Sequence, residues 1–193
     1  TIGAVVAGQV GRVLGERDLL LLERLVAQAS LAIERSQHER ELALNLALQR
    51  VRNEILEMKE AADWEKVLSS LHSELGSLVE FWFCSIQFID QLAGQFTYYT
   101  THFAPEDWHL QGREQLPLTL SLKQVLTSGH PLYRRTRAEV EYFQDDVGPE
   151  VQCIVDVPFL GGTVAINSIR ENAFSDQDIA ILERFARVIS EGY

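Results

Sequence analysis

Sixty consecutive residues, from Glu16 to Leu75, contain neither glycine nor proline. Because either residue weakens or ends a helix, this stretch is expected to be helical over most of its length. The acidic side chains of Glu16 and Asp18 suit the positive end of a helix dipole and place the start of the helix there. All five prolines lie between Pro105 and Pro158, so strands and loops are expected mainly in the second half of the chain.

The long helix carries apolar residues in alternating steps of four and three, the spacing of a coiled-coil seam. The seam positions are Leu44, Leu48, Val51, Ile55 and Met58, with the polar Gln37 and Arg40 in the same register upstream. No other part of residues 36–60 supplies a core for these side chains, so the spacing predicts a homodimer through parallel helices. The alternative is a long helix that packs on its own domain.

After residue 62 the apolar residues recur with a period of about 3.6 residues in some segments and of 2 residues in others, which predicts alternating helices and strands. Residues 63–79 are expected to form an amphipathic helix, and residues 103–119 a loop. The remaining predicted strands are 83–90, 95–102, 132–134, 151–159 and 163–169, and the remaining predicted helices are 120–127, 137–145 and 176–193. The apolar stripe of the last helix still continues at Tyr193, so we expect it to run on as a coiled coil into an output domain.

Composition excludes several classes of protein. The net charge is −11, from 17 basic and 28 acidic residues, and so acidic a chain repels a phosphate backbone. No segment reads as a membrane span or a signal peptide. Two cysteines are too few for a disulfide scaffold, which favours a reducing, cytoplasmic setting. The missing initiator methionine suggests a fragment of a longer protein.

Two segments near the C-terminus resemble a known family. Residues 156–168 (DVPFLGGTVAINS) form a strand with a proline, a glycine turn and a second strand, and residues 172–186 (NAFSDQDIAILERFA) place Phe-Ser before a final helix. This order is similar to that of GAF domains, which are small-molecule-sensing modules. The resemblance implies an α+β, PAS-related fold with a central antiparallel sheet flanked by helices, here preceded by a long signalling helix.

The N-terminal segment resembles the end of another GAF domain. Thr1 to Ala7 reads as its last strand and residues 16–34 as its last helix. The predicted organisation is therefore a GAF remnant at 1–36, a connecting coiled-coil helix at 37–61 and a complete GAF domain at 62–193. Such tandem arrangements imply a bacterial sensor histidine kinase or a nucleotide cyclase as the parent protein, with no catalysis in this fragment.

The resemblance also suggests ligands, which we compared with the residues present. Asn172 and Asp178 lack the neighbouring lysine and glutamate of the cyclic-nucleotide motif and are expected to cap the final helix. Neither Cys84 nor Cys153 has an adjacent histidine of the kind found at bilin attachment sites. Isolated histidines and the absence of a close His/Cys/carboxylate cluster indicate neither haem nor a metal, so the cofactor stays unknown.

One enzymatic GAF branch reduces free methionine sulfoxide with several cysteines. Residues 103–150 contain none, which argues against that reaction here. The only basic cluster, Arg134 to Arg137, is followed by several acidic residues. It is expected to be a solvated face of mixed charge, with anion capture at a pocket rim as the alternative.

By resemblance, a ligand would lie between one face of the sheet and residues 104–150. The candidate ligand-binding residues are Tyr98, His102, Tyr133, Phe143, Asp156 and Asn167. Three functions stay open: a sensory domain that passes a signal through its helices, a purely dimerising module whose pocket is filled by its own side chains, and a small redox enzyme. A cavity lined by these residues favours the first.

Overall fold

The computed structural model describes residues 15–60, 63–101, 115–145 and 147–192. The chain forms two compact units, Thr1–Asn45 and Leu46–Tyr193. Helix α1, Glu16–Glu57, provides the described part of the first unit and continues into the second. The strand predicted at Thr1 to Ala7 lies outside the described residues, and the assignment of 1–36 and 37–61 to separate parts stays a prediction.

The second unit alternates helices and strands as the change of apolar period predicts. Its helices after α1 are α2 (Trp64–Gly76), α3 (Leu120–Ser128), α4 (Arg137–Tyr142) and α5 (Asp176–Gly192). Its strands are β1 (Phe83–Asp90), β2 (Gln95–Thr100), β3 (Leu116–Pro117), β4 (Leu132–Arg134), β5 (Cys153–Phe159) and β6 (Gly162–Ser168). None of the described helices combines the length and apolar character needed to cross a membrane.

The six strands form one antiparallel sheet in the order β3-β2-β1-β6-β5-β4. Local hairpins join β1 to β2 and β5 to β6, and the long-range pairing of β1 with β6 joins the two hairpins. Gly161 closes the second hairpin at a φ of 93°, a backbone conformation that residues with a Cβ rarely adopt. The predicted α+β architecture with a central antiparallel sheet is confirmed.

Helices α2 and α5 cover one face of this sheet. The ring of Trp64 in α2 lies 4.6 Å from that of Phe88 in β1, measured between centroids. Helix α5 packs on β5 and β6 through its buried apolar stripe, which includes Leu182, Phe185 and Ile189. Because strand side chains alternate between faces, the neighbours of Phe88 at positions 83, 85 and 87 point to the other face, where α3 and α4 lie.

The predicted dimer seam is buried within its own chain. Leu48, Val51 and Ile55 belong to the second unit and expose 8%, 0% and 5% of their surface. Leu44 is also buried, and Met58 is half-buried. The premise that this seam has no intrachain partner is therefore wrong, and the alternative of a helix packed on its own domain describes these residues.

Two ion pairs show what the end of α1 packs against. Arg50 Nη1 donates to Glu74 of α2 at 3.0 Å, and Arg52 Nη2 donates to Glu191 of α5 at 2.6 Å. At Gly192 an added Cβ would come within 1.9 Å of Ile55 Cγ2, so only glycine allows this approach of α5 to α1. The heptad spacing of α1 thus serves contacts with two helices of the same unit.

Two local boundaries differ from the sequence prediction. Residues 103–119 were predicted to be a loop, but Leu116 and Pro117 pair with β2 as strand β3. Helix α4 was predicted to reach Asp145 and ends at Tyr142, because Gln144 adopts a left-handed conformation with a φ of 56°. That turn directs Asp145 toward the sheet.

Candidate ligand-binding site

A cavity of about 260 Å³ lies on the sheet face opposite α2 and α5. Strands β1, β2, β5 and β6 supply its floor, and α3 and the segment after α4 supply its sides. The described residues that line it are Phe83, Ser85, Gln87, Phe96, Tyr98, Thr100, Leu116, Thr119, Ser121, Leu122, Arg134, Asp145, Val147, Gly148, Ile154, Asp156, Ala165 and Asn167. At roughly 30 Å³ per water molecule, this volume suits a ligand of about eight or nine non-hydrogen atoms.

The floor of the cavity is a row of residues aligned across four strands. Asp156 pairs with Ala165, Ala165 pairs with Ser85, and Ser85 pairs with Thr100. With neighbouring strands about 4.8 Å apart, this row extends for about 14 Å. Ala165 and Ser85 have the smallest side chains in the row, so they leave open space between Asp156 and Thr100.

A buried group of three charges closes one end of the cavity. Arg134 Nη1 donates to Asp145 Oδ2 at 2.5 Å, and Arg134 Nη2 donates to Asp156 Oδ2. The arginine side chain is 2% exposed, and the two carboxylate side chains are 8% and 3% exposed. Ser121 Oγ donates to the other oxygen of Asp145 at 2.5 Å.

Two polar atoms of this charged group have no hydrogen-bond partner among the described residues: Arg134 Nε and Asp156 Oδ1. A buried polar atom without a partner costs free energy, and such atoms in a native protein call for an explanation. Burial raises the pKa of Asp156; the charge of Arg134 opposes this rise, and the charge of Asp145 adds to it. The charged group therefore contains one buried acceptor, Asp156 Oδ1, and one buried donor, Arg134 Nε, that lack a partner among the described residues.

Local structure sets the positions of the residues on the sides of the cavity. Thr119 caps α3 by accepting a hydrogen bond from the Leu122 amide, and this fixes the first turn that carries Ser121. Asp145 follows the left-handed Gln144 directly. Non-glycine residues in this conformation are uncommon and often occur at functional sites.

Solved structures show which fold builds this cavity. A GAF domain of an Acinetobacter phosphoenolpyruvate-protein phosphotransferase superposes with a TM-score of 0.59 at 17% identity, covering 76% of this chain and 89% of that one. The fold is that of a GAF domain. The GAF domain of the corresponding Coxiella burnetii protein superposes with a TM-score of 0.57 at 13% identity, over 78% of this chain and 92% of its own.

An enzyme with this fold is also similar to the chain. The free methionine-R-sulfoxide reductase from Neisseria meningitidis, in complex with its substrate, has a TM-score of 0.54 at 13% identity and covers 77% of this chain and 87% of its own. At these identities the similarity shows the GAF fold alone. No protein-family model and no curated protein sequence matches the chain.

The GAF structure brings together part of the predicted site. Tyr98, Asp156 and Asn167 line the cavity, and the amide of Asn167 donates to the Phe83 carbonyl at 3.4 Å. His102 lies outside the described residues. Asp156 and Asn167, which are polar residues within otherwise apolar strands, thus both face the cavity.

Two predicted residues, Tyr133 and Phe143, are not among the described residues that line this cavity. Tyr133 pairs with Val155, on the opposite face of the sheet, and its hydroxyl accepts a hydrogen bond from the Phe174 amide at 3.0 Å. Phe143 caps the end of α4, where its ring lies 5.2 Å from that of Tyr142.

The basic cluster Arg134 to Arg137 is solvated only in part, because Arg135 is exposed whereas Arg134 is buried. Arg134 is buried between two carboxylates, and Arg137 donates to the carbonyls of Gly148 and Val151. Arg135 lies over the Tyr133 ring at 4.3 Å from its centroid. Both terminal nitrogens of Arg134 bind carboxylates, and anion capture by the cluster stays a prediction.

Asp145 and Ser121 were not among the predicted site residues, and Arg134 was considered only as part of a basic cluster at a pocket rim. One signal was available, because Arg134 shares its face of a short strand with the apolar Leu132. Its partners could not be found in the same way, since Asp156 and Asp145 are 22 and 11 residues away along the chain.

Both cysteines lie on the helix-covered face of the GAF sheet, away from the cavity. Cys84 is buried with its Sγ 3.9 Å from His72 Nδ1, a proximity that the sequence did not indicate. Burial raises the pKa of Cys84 to about 12, raises that of Cys153 and lowers that of His72. Both shifts at the Cys84–His72 pair favour neutral thiol and neutral imidazole rather than a reactive thiolate.

We expect these thiols to resist a thiol reagent such as a water-soluble aromatic disulfide. Raising the Cys84 pKa from 9.0 to about 12 lowers its thiolate fraction about a thousandfold, and the thiolate is the reactive form. Reaction in the folded protein should therefore be at least a hundredfold slower than in guanidinium chloride. Cys84→Ser, measured in parallel, assigns the remaining signal to Cys153; rapid reaction of native Cys84 would contradict the expectation.

Among the residues that the structure describes, no three His, Cys, Asp or Glu side chains come together to hold a metal ion.

Proposed function

We propose that this chain is a regulatory GAF domain of a bacterial, cytoplasmic signal-transduction protein, and that it binds a small molecule and passes the signal through its helices. The cavity and its unpartnered buried polar atoms carry this proposal. A histidine kinase is the expected parent, with a nucleotide cyclase as the alternative. The module itself is proposed to be regulatory and not catalytic.

The cavity favours sensing over a module filled by its own side chains. A cluster of Phe83, Val140, Val151, Ile154 and Ala165 packs under α4 and closes one side of the sheet face. Beside it the space above Ser85 and Ala165 stays open. A purely structural pocket gains nothing from leaving a buried carboxylate oxygen without a partner.

The redox alternative has less support. Its chemistry needs thiols at the ligand, whereas Cys84 and Cys153 belong to the helix-covered face of the sheet. The likeness to a methionine sulfoxide reductase concerns the fold and does not supply the missing cysteines.

Signal transfer is proposed to use the contact between α1 and α5. Strand β5 connects the cavity to α5, because Asp156 faces the cavity while its neighbours Val155 and Val157 face the side of the sheet where α5 packs. The end of α5 meets α1 through Glu191 and Arg52.

Insertion of one to four residues after Tyr193 in the full-length protein should make output vary with the roughly 100° of rotation per residue. Output that ignores all four insertions would contradict helical transfer.

The test of sensing is a ligand-observed NMR screen of small molecules with a cavity-filling variant. Ser85→Leu places a larger side chain on the cavity floor, and Ser69→Leu makes the same change on an exposed position of α2. We expect hits that bind wild type and Ser69→Leu but not Ser85→Leu. A screen without such hits would refute the small-molecule role.

We still propose that the chain dimerises through α1, but the contacts between the two copies must come from residues other than those of the buried seam. Leu42 and Leu46 are 50% and 59% exposed on successive turns of α1. Sedimentation of a Leu42→Asp, Leu46→Asp variant is expected to show monomer where wild type at tens of micromolar is dimeric. The control is Leu92→Asp with Leu160→Asp, two exposed leucines in hairpin turns. A monomeric wild type would contradict dimerisation.

A further inference from the structure

The charge of the cavity restricts what it can bind. The buried group contains two carboxylates and one guanidinium, so it is negative by one charge when all three are ionised. Arg134 is the only lysine or arginine among the described lining residues, and both of its terminal nitrogens already donate to carboxylates. An anionic ligand would add a second uncompensated charge beside the two carboxylates.

Asp156 Oδ1 indicates where a positively charged group of a ligand would bind. Its sister oxygen binds Arg134, and the side chain as a whole is 3% exposed. A carboxylate oxygen only accepts hydrogen bonds, so its missing partner must be a donor. A cationic donor makes a stronger bond than a neutral one and also neutralises the buried group.

The rest of the cavity suits the body of an organic molecule better than a bare ion. Beside Asp156 the floor consists of Ala165 and Ser85, and the far strand supplies the rings of Phe96 and Tyr98, whose centroids are 6.1 Å apart. Apolar and aromatic walls with a few polar groups are typical of small-molecule sites. Aromatic faces also tolerate a nearby cation.

We propose that the cavity binds a small organic cation, an amine or amidine of about eight or nine non-hydrogen atoms, whose protonated nitrogen donates to Asp156 Oδ1 while its body lies over Ala165 and Ser85. The proposal rests on the proposed sensory function and adds the chemical class of the ligand.

The test compares three probes of nearly equal shape and different charge: benzylammonium, benzyl alcohol and benzoate. Binding to the wild-type protein at pH 7 is followed by the backbone amide NMR shifts of Ala165 and Asn167. We expect benzylammonium to bind at least tenfold more tightly than the other two. Because this series uses only wild-type protein, it does not depend on the folding of any variant.

Asp156→Asn then removes the charge with little change of shape. It is expected to lower benzylammonium affinity at least tenfold, while Asp90→Asn, at an exposed turn where the carboxylate accepts from the Ala93 amide, leaves it unchanged. Circular dichroism establishes that both variants are folded. If Asp156→Asn does not fold, the wild-type probe series alone decides.

Three outcomes would overturn the cation proposal. These are equal or tighter binding of benzyl alcohol or benzoate, displacement of benzylammonium by magnesium or potassium chloride at matched ionic strength, and absence of binding by all three probes. If the small-molecule screen still gives hits that Ser85→Leu abolishes, the sensory function stands and only the ligand class is wrong. If that screen also fails, the proposed function falls as well.

Discussion

Replacing Arg134 with methionine is expected to lower the free energy of unfolding by about 3–5 kcal/mol, the range measured when one partner of a buried ion pair is removed. The side chain is 2% exposed and bonds Asp145 and Asp156 together. Methionine fills part of the space but leaves two buried carboxylates without their cation. Urea denaturation followed by circular dichroism measures the loss.

The control for this substitution is Arg135→Met, the adjacent arginine. Arg135 is exposed and lies over the Tyr133 ring, so its loss is expected to cost about 1 kcal/mol or less. If Arg134→Met and Arg135→Met cost the same, the buried charged group does not support the fold.

The cost of Arg134→Met should depend on pH. Burial already raises the pKa of Asp156, and removing the arginine removes the charge that opposes this rise. When the pKa of a carboxyl group is higher in the folded state than in the unfolded state, the folded protein becomes less stable as the pH rises above about 4, the usual carboxyl pKa. Arg134→Met should therefore be less harmful at pH 4.5 than at pH 7.5. Adding Asp156→Asn should recover part of the loss at pH 7.5, and a loss independent of pH would argue against this explanation.

Replacing Val51 with aspartate is expected to lower the free energy of unfolding by about 4 kcal/mol or more, because it places an unpaired charge in a buried position. Val51 has no exposed surface and belongs to the same compact unit as the sheet. The variant should therefore lose the fold of the second unit, and not only an interface with another chain. Urea denaturation and sedimentation, measured together, separate these results.

Leu56→Asp is the control, since this neighbouring leucine of α1 is 73% exposed. It should change stability by about 0.5 kcal/mol or less. If Val51→Asp unfolds the protein completely, Val51→Ala should give the same direction with a loss of roughly 2 kcal/mol. A Val51→Asp protein that is fully stable but monomeric would restore the dimer seam and contradict the intrachain packing.

Local signals predicted the elements of the fold well. Strand β1 and strand β4 begin and end at the residues where the period of two predicted them, and helix α5 begins at Asp176. These boundaries depend on residues that are neighbours along the chain, such as turn glycines and helix caps. The GAF resemblance depended on the same C-terminal pattern, and the fold confirms it.

The site could be predicted only in part. Asp156 and Asn167 were singled out because a polar residue inside an apolar strand needs a partner, and both line the cavity. The face of the sheet that holds Tyr133 could not be predicted, because the face of so short a strand follows from its register with Val155. Asp145 reaches the site through the left-handed turn at Gln144, which no periodicity predicts.

Helices and strands followed from the sequence alone, since periodicity, glycine turns and caps act over a few neighbouring residues. The residues that cover the apolar stripe of α1 and those that neutralise Arg134 became known only from the folded chain. A heptad stripe is satisfied equally by a second chain or by helices of its own unit. In the structure Leu48, Val51 and Ile55 are buried within their own chain. The partners of Arg134 are likewise set by strand pairing across 22 residues and by a single turn, because burial and charge compensation depend on the three-dimensional surroundings and not on spacing along the chain.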